Sequence, residues 1–531
     1  MEGCAFSSAR IAEIRSELAQ ATLGSDAARF DEALKAVGAA RERAVALGWP
    51  PLVAEARRRE GEILRAAGRF ADAEAAASAA YFVAANAGQW EVAAAAALGL
   101  ITSVGLDQAR PLEGRAWGLH ADVALALAGD SDGLREGTRL NNLGGVDLLV
   151  ADYALARERF ERALAIREAV LGQDHPTLAA SLMNVADVDV ALGDFARARA
   201  LLDRALAATE AAFGSAHPKV GRCLHRVSVA YQAAGEFRQA QLLAERSLRI
   251  TEAALGPEHP DTAESLSQLA DVLVEVGDHA RARSLYQRAL TIRERVLGSA
   301  HPDVANVLAL LANVEGLLGN LERSRELHER ALAINEATLG PSHPKFADGL
   351  NDLASAYSDL GDLDKARELY ERALTVREAA LGRDHDAVGA TLTNLAIVLQ
   401  QLGQRDSAAP LFERALRIRR QTRGPDSPEL AYTLLGLSLV ALEQGRGADA
   451  IARAQEAVRV RVRANVAPEL QSEARLVLAM ALWDAPAGDG RDRARAVREA
   501  TSVRDACRGV AAARPEFVQA EAWLATHAVE H

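Results

Sequence analysis

The sequence predicts an all-α solenoid, a stack of antiparallel helical hairpins, and three observations carry this prediction. A turn signature of glycine followed by His-Pro recurs every 42 residues, and a second glycine series has the same period. Between these marks, apolar residues follow helical spacing. Because one amphipathic hairpin cannot bury its apolar face alone, a tandem array of hairpins is expected to share one continuous core.

The glycine and His-Pro signature marks the longer turn of each predicted unit. Glycine adopts the left-handed conformation that ends a helix. Proline fits the first turn of the next helix, since its missing N–H is not needed there, and it keeps the preceding residue out of the helical region. The histidines are therefore predicted to be cap or turn residues: His175, His217, His259, His301, His343 and His385.

The second glycine series marks a tight turn inside each unit. Its members are Gly193, Gly235, Gly277, Gly319, Gly361, Gly403 and Gly445, and Ala151 replaces the glycine one unit earlier. Small residues such as Ala282 and Ala289 recur after each of them, where helices are expected to approach closely. The residues before Gly277 lie on one helical face: Leu266, Leu269, Ala270, Leu273 and Val274. Each unit is therefore predicted to be helix, tight turn, helix and longer turn.

This pattern of small residues, glycine and an aromatic position resembles the tetratricopeptide repeat. The aromatic position holds Phe160, Tyr286, Tyr370 and Phe412, whereas Ala244 and His328 depart from it. The 42-residue period with Leu-Gly-x-x-His-Pro resembles the kinesin light chain subtype. The resemblance implies a right-handed superhelical α-solenoid of antiparallel hairpins, with the first helix of each hairpin on the concave face.

The regular array divides the chain into three predicted parts. Residues 1–127 form an irregular helical region with diverged repeats, because Gly68 carries the same small residues behind it as the later glycines. Residues 135–466 contain about eight 42-residue repeats. Residues 467–531 are predicted to be a diverged hairpin and a capping helix, since the terminal unit of a solenoid meets water on one face.

The N-terminal region also resembles the helical segment that precedes the repeats in large bacterial Ser/Thr kinases. The resemblance lies in residues 47–52 and in the glycines Gly61 and Gly68. The sequence has no glycine-rich phosphate loop, no kinase catalytic-loop signature and no metal-binding Asp-Phe-Gly. A kinase relation would therefore make this chain the tail and not the catalytic domain.

Composition excludes several classes of function. The formal net charge of −12 disfavours nucleic acid as a partner, because proteins that grip phosphates carry an excess of basic residues. The three cysteines, Cys4, Cys223 and Cys507, have neither metal-ligand nor disulfide-framework spacing. No site for Ser-His-Asp, paired-carboxylate or phosphate-loop chemistry is found, so we expect no catalytic residue, no metal and no cofactor. Richness in alanine and arginine is typical of GC-rich bacterial genomes.

The sequence also predicts a cytoplasmic protein with no membrane segment. The N-terminus lacks a basic region followed by an apolar core, so no signal peptide is predicted. The most apolar stretch, residues 71–100, contains Asp72, Glu74 and Glu91 and consists largely of weakly apolar alanine.

Two periodic series admit alternative interpretations. The histidines could suggest a metal site, but residues one repeat apart cannot converge on one ion. An arginine series (Arg162, Arg204, Arg246, Arg288, Arg330, Arg372 and Arg414) could form a phosphate-binding stripe. Because a glutamate series accompanies it (Glu168, Glu210, Glu252, Glu294, Glu336 and Glu378), mixed charge on the outer helices is the preferred interpretation.

Polar residues on the first helix of each unit are the candidate binding residues. The resemblance implies that they line the concave groove, where asparagines of kinesin light chain-like repeats hold bound peptides. Asparagine can both donate to and accept from an extended backbone. Arg226, Leu310 and Gly436 interrupt the series, and plain helix polarity is the alternative. The predicted residues are Asn141, Asn142, Asn184, Asp187, Gln268, Asp271, Asn313, Asn351, Asp352 and Asn394.

We therefore expect a non-catalytic scaffold that binds a peptide or protein partner on its concave face. One alternative is a sensory or docking tail of a bacterial Ser/Thr kinase whose catalytic domain is absent from this chain. Another is a structural protein that assembles with itself through its ends. A gene that continues upstream into kinase motifs would favour the first alternative, and concentration-dependent mass would favour the second.

Overall fold

The computed structural model describes residues 2–26, 29–130, 132–463, 468–509 and 514–527. These residues form 25 α-helices and no strand, which confirms the predicted all-α fold. A π-helical turn lies at Ser103–Asp107 and a 3-10 turn at Pro468–Gln471. Consecutive helices pair into hairpins, each hairpin packs on the next, and the last helix packs on the final hairpin.

The helix bounds define an N-terminal part, a regular array and a C-terminal part. The N-terminal part contains hairpins 1 to 3: α1 (Glu2–Asp26), α2 (Phe30–Leu47), α3 (Pro50–Ala66), α4 (Phe70–Asn86), α5 (Trp90–Thr102) and α6 (Pro111–Ala128). The array begins with hairpins 4 to 7: α7 (Leu134–Leu149), α8 (Tyr153–Leu171), α9 (Leu178–Ala191), α10 (Phe195–Phe213), α11 (Pro218–Ala233), α12 (Phe237–Leu255), α13 (Pro260–Glu275) and α14 (His279–Leu297). It continues with hairpins 8 to 11: α15 (Pro302–Leu317), α16 (Leu321–Leu339), α17 (Pro344–Asp359), α18 (Leu363–Leu381), α19 (Asp386–Gln401), α20 (Arg405–Arg423), α21 (Leu430–Glu443) and α22 (Gly447–Arg463). The C-terminal part contains hairpin 12, α23 (Ser472–Asp484) and α24 (Arg493–Cys507), and then α25 (Arg514–His527). The predicted boundary at residue 466 lies outside the described residues.

The repeated histidines cap the first helices, as the sequence predicted. In each of five copies, Nδ1 accepts the backbone N–H two residues further on: His217, His259, His301, His343 and His385. The glycine before each cap ends the previous helix with a positive φ and an extended ψ, 86° and 153° at Gly298, a conformation that favours glycine. The cap therefore requires a neutral imidazole whose Nδ1 carries no proton.

Small residues allow the helices to approach closely, as their recurrence indicated. Ala282 and Ala289 on α14 are fully buried and contact the same apolar cluster as Leu266, Leu269 and Tyr286. Equivalent alanines are fully buried in the neighbouring hairpins, including Ala240, Ala366 and Ala408. The core therefore lies between the first and second helices, where the buried apolar residues form a series of clusters along the stack.

An apolar segment in hairpin 3 belongs to this core. Among the described residues, Trp90–Asp107 is the one helical segment long and apolar enough to cross a membrane, and more than half of it is buried. It packs against α3, α4, α6 and α7. Burial between hairpins accounts for its apolar sequence.

The first helices lie on the inner side of the curved stack. In most of the chain, the first helices of successive hairpins contact one another directly. Examples are the contacts of α9 with α11 and of α17 with α19. Second helices of successive hairpins are linked mainly by long side chains, such as Arg288 and Glu252. In a bent stack the inner elements lie closer together than the outer ones, so the first helices form the concave face.

The stack also winds far enough to meet itself. Nε2 of His343, at the start of hairpin 9, lies 3.0 Å from the carbonyl oxygen of Asp107 in hairpin 3. Nε2 of His385, at the start of hairpin 10, lies 3.2 Å from the carbonyl oxygen of Leu149 in hairpin 4. Each contact joins hairpins that are six apart, which sets the length of one superhelical turn.

Candidate functional site

Each first helix of the array turns a stripe of side chains toward the inner side of the solenoid. The stripe takes residues at i, i+4, i+7 and i+11, which lie on one helical face. We call these sets the inner stripes; they are residues 264, 268, 271 and 275 of α13, residues 306, 310, 313 and 317 of α15, residues 348, 352, 355 and 359 of α17, and residues 390, 394, 397 and 401 of α19. Most of the predicted binding residues belong to them or to the equivalent stripes of α7 and α9.

Two pairs of asparagines connect neighbouring first helices along this face. Asn184 on α9 donates its amide to Oδ1 of Asn141 on α7 at 2.7 Å. Asn394 on α19 makes the same contact with Asn351 on α17 at 3.3 Å. All four side chains are partly exposed. The predicted asparagines therefore form local amide pairs that still present polar atoms to the groove.

Asn142 and Asp187 have partners within the protein. The Asn142 amide donates to the backbone carbonyl of Leu98 on α5 at 2.9 Å. Asp187 pairs with Arg226 on α11 at 3.1 Å, although partial burial raises the pKa of its carboxyl. Arg226, which interrupts the asparagine series in the sequence, therefore forms an ion pair with Asp187, one of the predicted binding residues.

Gln268 does not line an open groove, which corrects the prediction for that residue. Its side chain is buried, with 4% exposed, and its amide reaches Gln232 at 3.1 Å and Ser228 at 3.4 Å on α11. Asp271 is half-buried and accepts a hydrogen bond from the Tyr286 hydroxyl of α14. Burial raises the pKa of the Asp271 carboxyl to about 6. The main role of Gln268 and Asp271 is therefore to pack helices against one another within the solenoid.

Asn313 on α15 is exposed, and Asp352 on α17 is half-buried. Burial, with repulsion from Asp348, raises the pKa of the Asp352 carboxyl to about 6. A cation beside this carboxyl would lower its pKa and favour the charged form.

Sequence reasoning missed several exposed residues of the same face. One position near the start of the first helix recurs every 42 residues. Five exposed side chains occupy it: Arg222, Glu264, Asn306, Asp348 and Tyr432. A position near the end of the helix is exposed in Glu275, Leu317, Asp359 and Gln401. These exposed residues recur at the 42-residue period on the same helical face. A search restricted to asparagines did not identify them.

Of the inner stripes of α13, α15, α17 and α19, those of α13 and α17 are acidic, and those of α15 and α19 are uncharged. Together the four stripes carry six carboxylates and no lysine, arginine or histidine: Glu264, Asp271, Glu275, Asp348, Asp352 and Asp359. Asp348 pairs with Arg377 at 2.6 Å, and Glu264 lies 3.9 Å from His225. In the part of the chain that is described, the other four make no ion pair. Burial raises the pKa of Glu275 and Asp359 as well.

A second exposed surface lies on the outer side of hairpin 3. Helix α6 exposes Leu112, Leu119, Val123 and Leu127 along one face, and Phe82 of α4 is exposed close to Trp117. The corresponding faces of α8 and α10 carry charged side chains such as Glu158 and Arg162. This surface is apolar, whereas the inner stripes of α13 and α17 carry six carboxylates.

The described thiols lie in the core and not on the inner face: Cys223 and Cys507 are buried. In the ranges that the structure covers, no three His, Cys, Asp or Glu side chains cluster as metal ligands would.

Comparison with solved structures finds helical repeat proteins. Putative kinesin light chain repeats of Podosopora anserina are 30% identical, covering 39% of this chain and 97% of that one, with a TM-score of 0.35. BtubC (BKLC) from P. vanneervenii is 23% identical, covering 44% and 91%, with a TM-score of 0.35. A Rap protein complexed with competence and sporulation factor is 15% identical, covering 70% and 98%, with a TM-score of 0.46. No curated protein matches the sequence.

Family models identify the repeats directly. A tetratricopeptide repeat model matches residues 138–211, 178–253, 243–295, 261–337, 303–379, 345–421 and 388–461. A second tetratricopeptide repeat model matches residues 18–87 in the N-terminal part. Because the matches cover well over half of its length, the chain belongs to the tetratricopeptide repeat family.

Proposed function

We propose that the protein is a non-catalytic scaffold that binds a segment of a partner protein along the inner stripes of α13, α15, α17 and α19. The segment would be extended and would carry basic side chains. Membership of the tetratricopeptide repeat family supports the coarser part of this proposal, because such repeats generally mediate protein–protein interaction.

The acidity of the inner stripes of α13 and α17 supports a basic segment. Asp271, Glu275, Asp352 and Asp359 form no ion pair with arginine or lysine among the described residues, although the charge of Arg377 lowers the pKa of Asp352 against the effect of burial. Each of them has a raised pKa through partial burial, so each is a carboxylate that the fold itself leaves poorly compensated. A lysine or arginine from a partner would supply the missing charge and form charge-assisted hydrogen bonds.

The amides of the same face support an extended backbone. Asn313 is exposed on α15, and the Asn351–Asn394 pair is partly exposed between α17 and α19. An amide side chain offers two donors and an acceptor, which matches the alternating donors and acceptors of an extended chain. Recognition would then combine backbone contacts, which tolerate many sequences, with carboxylates that select basic side chains.

Affinity capture tests this proposal. The intact protein is used as bait in a lysate of its native cells, and bound proteins are identified by mass spectrometry. The same capture is repeated with Asn313→Ala/Asp352→Asn/Asp359→Asn on the inner stripes and with Glu158→Gln/Glu322→Gln on the outer helices as a matched control. We expect the inner variant to lose its partners and the control to keep them. Equal recovery by both variants would contradict the proposal.

A further inference from the structure

The two superhelical turns touch along a seam, which we define as the contacts between hairpins 2 to 4 and hairpins 8 to 10. The imidazoles of His343 and His385 each contact a backbone carbonyl of the preceding superhelical turn. The contacted residue lies 236 positions earlier in the sequence in both cases. Their Nδ1 atoms already accept the capping N–H, so the tautomer with a proton on Nε2 satisfies both contacts. One neutral imidazole thus caps a helix and holds the preceding turn.

A third histidine occupies the equivalent place in hairpin 8. The imidazole of His301 faces the backbone of Ala66 at the end of α3. A Cβ built on Gly68 would lie 3.1 Å from Cδ of Pro302 and 3.3 Å from Nε2 of His301. The hairpins therefore meet so closely that a side chain at Gly68, opposite the His-Pro pair, would fit only if its neighbours moved by a few tenths of an ångström.

The second helices take part in the seam as well. The guanidinium of Arg423, at the end of α20 in hairpin 10, lies 5.8 Å from the ring centre of Tyr153, at the start of α8 in hairpin 4. Arg423 is held by Asp386 at 2.8 Å. A cation and the face of an aromatic ring attract each other, so this contact joins second helices on the outer side of the seam.

A comparison of equivalent histidines shows that the seam covers surface that is open elsewhere. His259 caps α13 in hairpin 7 and keeps 38% of its side chain exposed. His301 caps α15 one repeat later in the same way, but only 10% of its side chain is exposed. The two capping motifs are alike, so the difference comes from the turn that packs on His301.

From these contacts we infer that the seam closes the solenoid into a tube over α15, α17 and α19, so that a partner reaches their inner stripes from an end of the tube and not from the side. Six first helices packed about 10 Å apart form a ring of about 10 Å radius. Helices about 10 Å thick would leave a passage about 10 Å wide. Such a passage admits one extended chain and excludes a folded domain. The identity of the bound molecule as a segment of a partner protein rests on the proposed function. The tube adds that this segment is a flexible terminal one.

The access route can be measured without any partner. Ser355, which is exposed on the inner stripe of α17, is replaced by cysteine in a full-length chain where Cys4 is serine; Cys223 and Cys507 are buried. The thiol is labelled with N-ethylmaleimide and, separately, with a maleimide coupled to a small folded protein. We expect the bulky reagent to react much more slowly than the small one, because it needs the seam to open.

A seam variant and a matched control decide the interpretation. His301→Asn/His343→Asn/His385→Asn keeps a good helix cap but shortens the side chain away from the opposite turn. His217→Asn/His259→Asn makes the same change at two caps for which the described residues show no contact with a preceding turn. We expect the seam variant to react about ten-fold or more faster with the bulky reagent, because two hydrogen bonds and the packing of His301 are lost. The control should match the parent.

Two results would overturn the inference. Equal labelling of the parent by both reagents would show that the inner face is open from the side, and an unchanged bulky rate in the seam variant would show that these histidines do not hold it shut. If circular dichroism shows that the triple variant has lost helicity, His343→Asn alone is compared with His259→Asn and the same order is expected. Failure of partner capture would count against the proposed function but would leave these labelling rates unchanged.

Discussion

Arg288 on α14 contacts Glu252 on α12 at 2.7 Å, joining the second helices of two successive hairpins. The same contact recurs with the same offset of 36 residues along the outer face. The pairs are Arg204–Glu168, Arg246–Glu210, Arg288–Glu252, Arg330–Glu294, Arg372–Glu336 and Arg414–Glu378. Six of the seven arginines in the series therefore form inter-repeat ion pairs, so their charges are matched by carboxylates of this chain and not reserved for phosphate.

Removing one of these pairs should have a small effect. Arg288 and Glu252 have 39% and 33% of their side chains exposed, so water and salt screen their attraction. We expect Arg288→Gln to lower the free energy of unfolding by about 0.5 kcal/mol, and the difference to shrink in high salt. Urea unfolding at low and high ionic strength measures it, and a loss that does not depend on salt would contradict the electrostatic origin.

Substitution at a close helix contact should be far more damaging. Ala282 is fully buried within the cluster formed by α13 and α14. Ala282→Arg would force the helices apart and bury a charge, and we expect a loss of about 3 kcal/mol or more in the free energy of unfolding. Ala280→Arg, two residues earlier and exposed, is the control. Unchanged urea unfolding of Ala282→Arg would defeat the stacking of hairpins at this position.

The tight turn of hairpin 4 carries a strained residue. Ala151 has φ of 58°, a left-handed conformation that glycine adopts at the equivalent turns, with φ of 79° at Gly193. We expect Ala151→Gly to raise the free energy of unfolding by about 0.5–1 kcal/mol, because relief of strain exceeds the added freedom of the unfolded chain. Gly193→Ala should lower it. Thermal unfolding of both variants checks the opposite signs.

A buried histidine should make stability depend on pH. His328 on α16 has 3% of its surface exposed, and burial lowers its pKa to about 4. In the unfolded chain its pKa is about 6.5, so the unfolded state binds more protons between these values. Stability is therefore full above about pH 6.5 and falls as the pH drops toward 4, by about 3 kcal/mol at most. His328→Phe should flatten this part of the profile in urea unfolding between pH 7 and 4; an unchanged slope would contradict the assignment.

Asp352 should act with the opposite sign. Its pKa is raised to about 6 in the folded protein, so the folded state binds more protons between about pH 4 and 6. Its contribution to stability is present at low pH and is lost as the pH rises through 6. Asp352→Asn should therefore steepen the acid loss that His328 produces. If both variants changed the slope in the same direction, one of the two assignments would be wrong.

The repeated local signals made most of the fold predictable. Glycine with His-Pro specifies a turn through conformations that few other residues adopt, so the helices and the histidine caps could be predicted without knowledge of neighbours. The Arg–Glu pairs could also have been predicted, because both series share the 42-residue period. The resemblance of the N-terminal part to kinase repeat tails stays a prediction, as do the bacterial origin and cytoplasmic location.

Long-range packing was not predictable from the same signals. The contact of His343 with Asp107 depends on small rotations that accumulate over six hairpins, and no local pattern encodes that sum. The burial of Gln268 depends on Ser228 and Gln232 of the preceding hairpin, which leave space and polar atoms for its amide. A polar residue on the correct face can thus serve the core, and only its neighbours in space decide this.

Hydrogen exchange of the captured complex tests the binding face most directly. The intact protein is compared with and without its partner, and protection is mapped to individual helices by mass spectrometry. We predict slower exchange in α13, α15, α17 and α19, with little change in the second helices that face outward. Protection confined to the apolar outer face of α6, or to the second helices of the array, would contradict binding along the inner stripes.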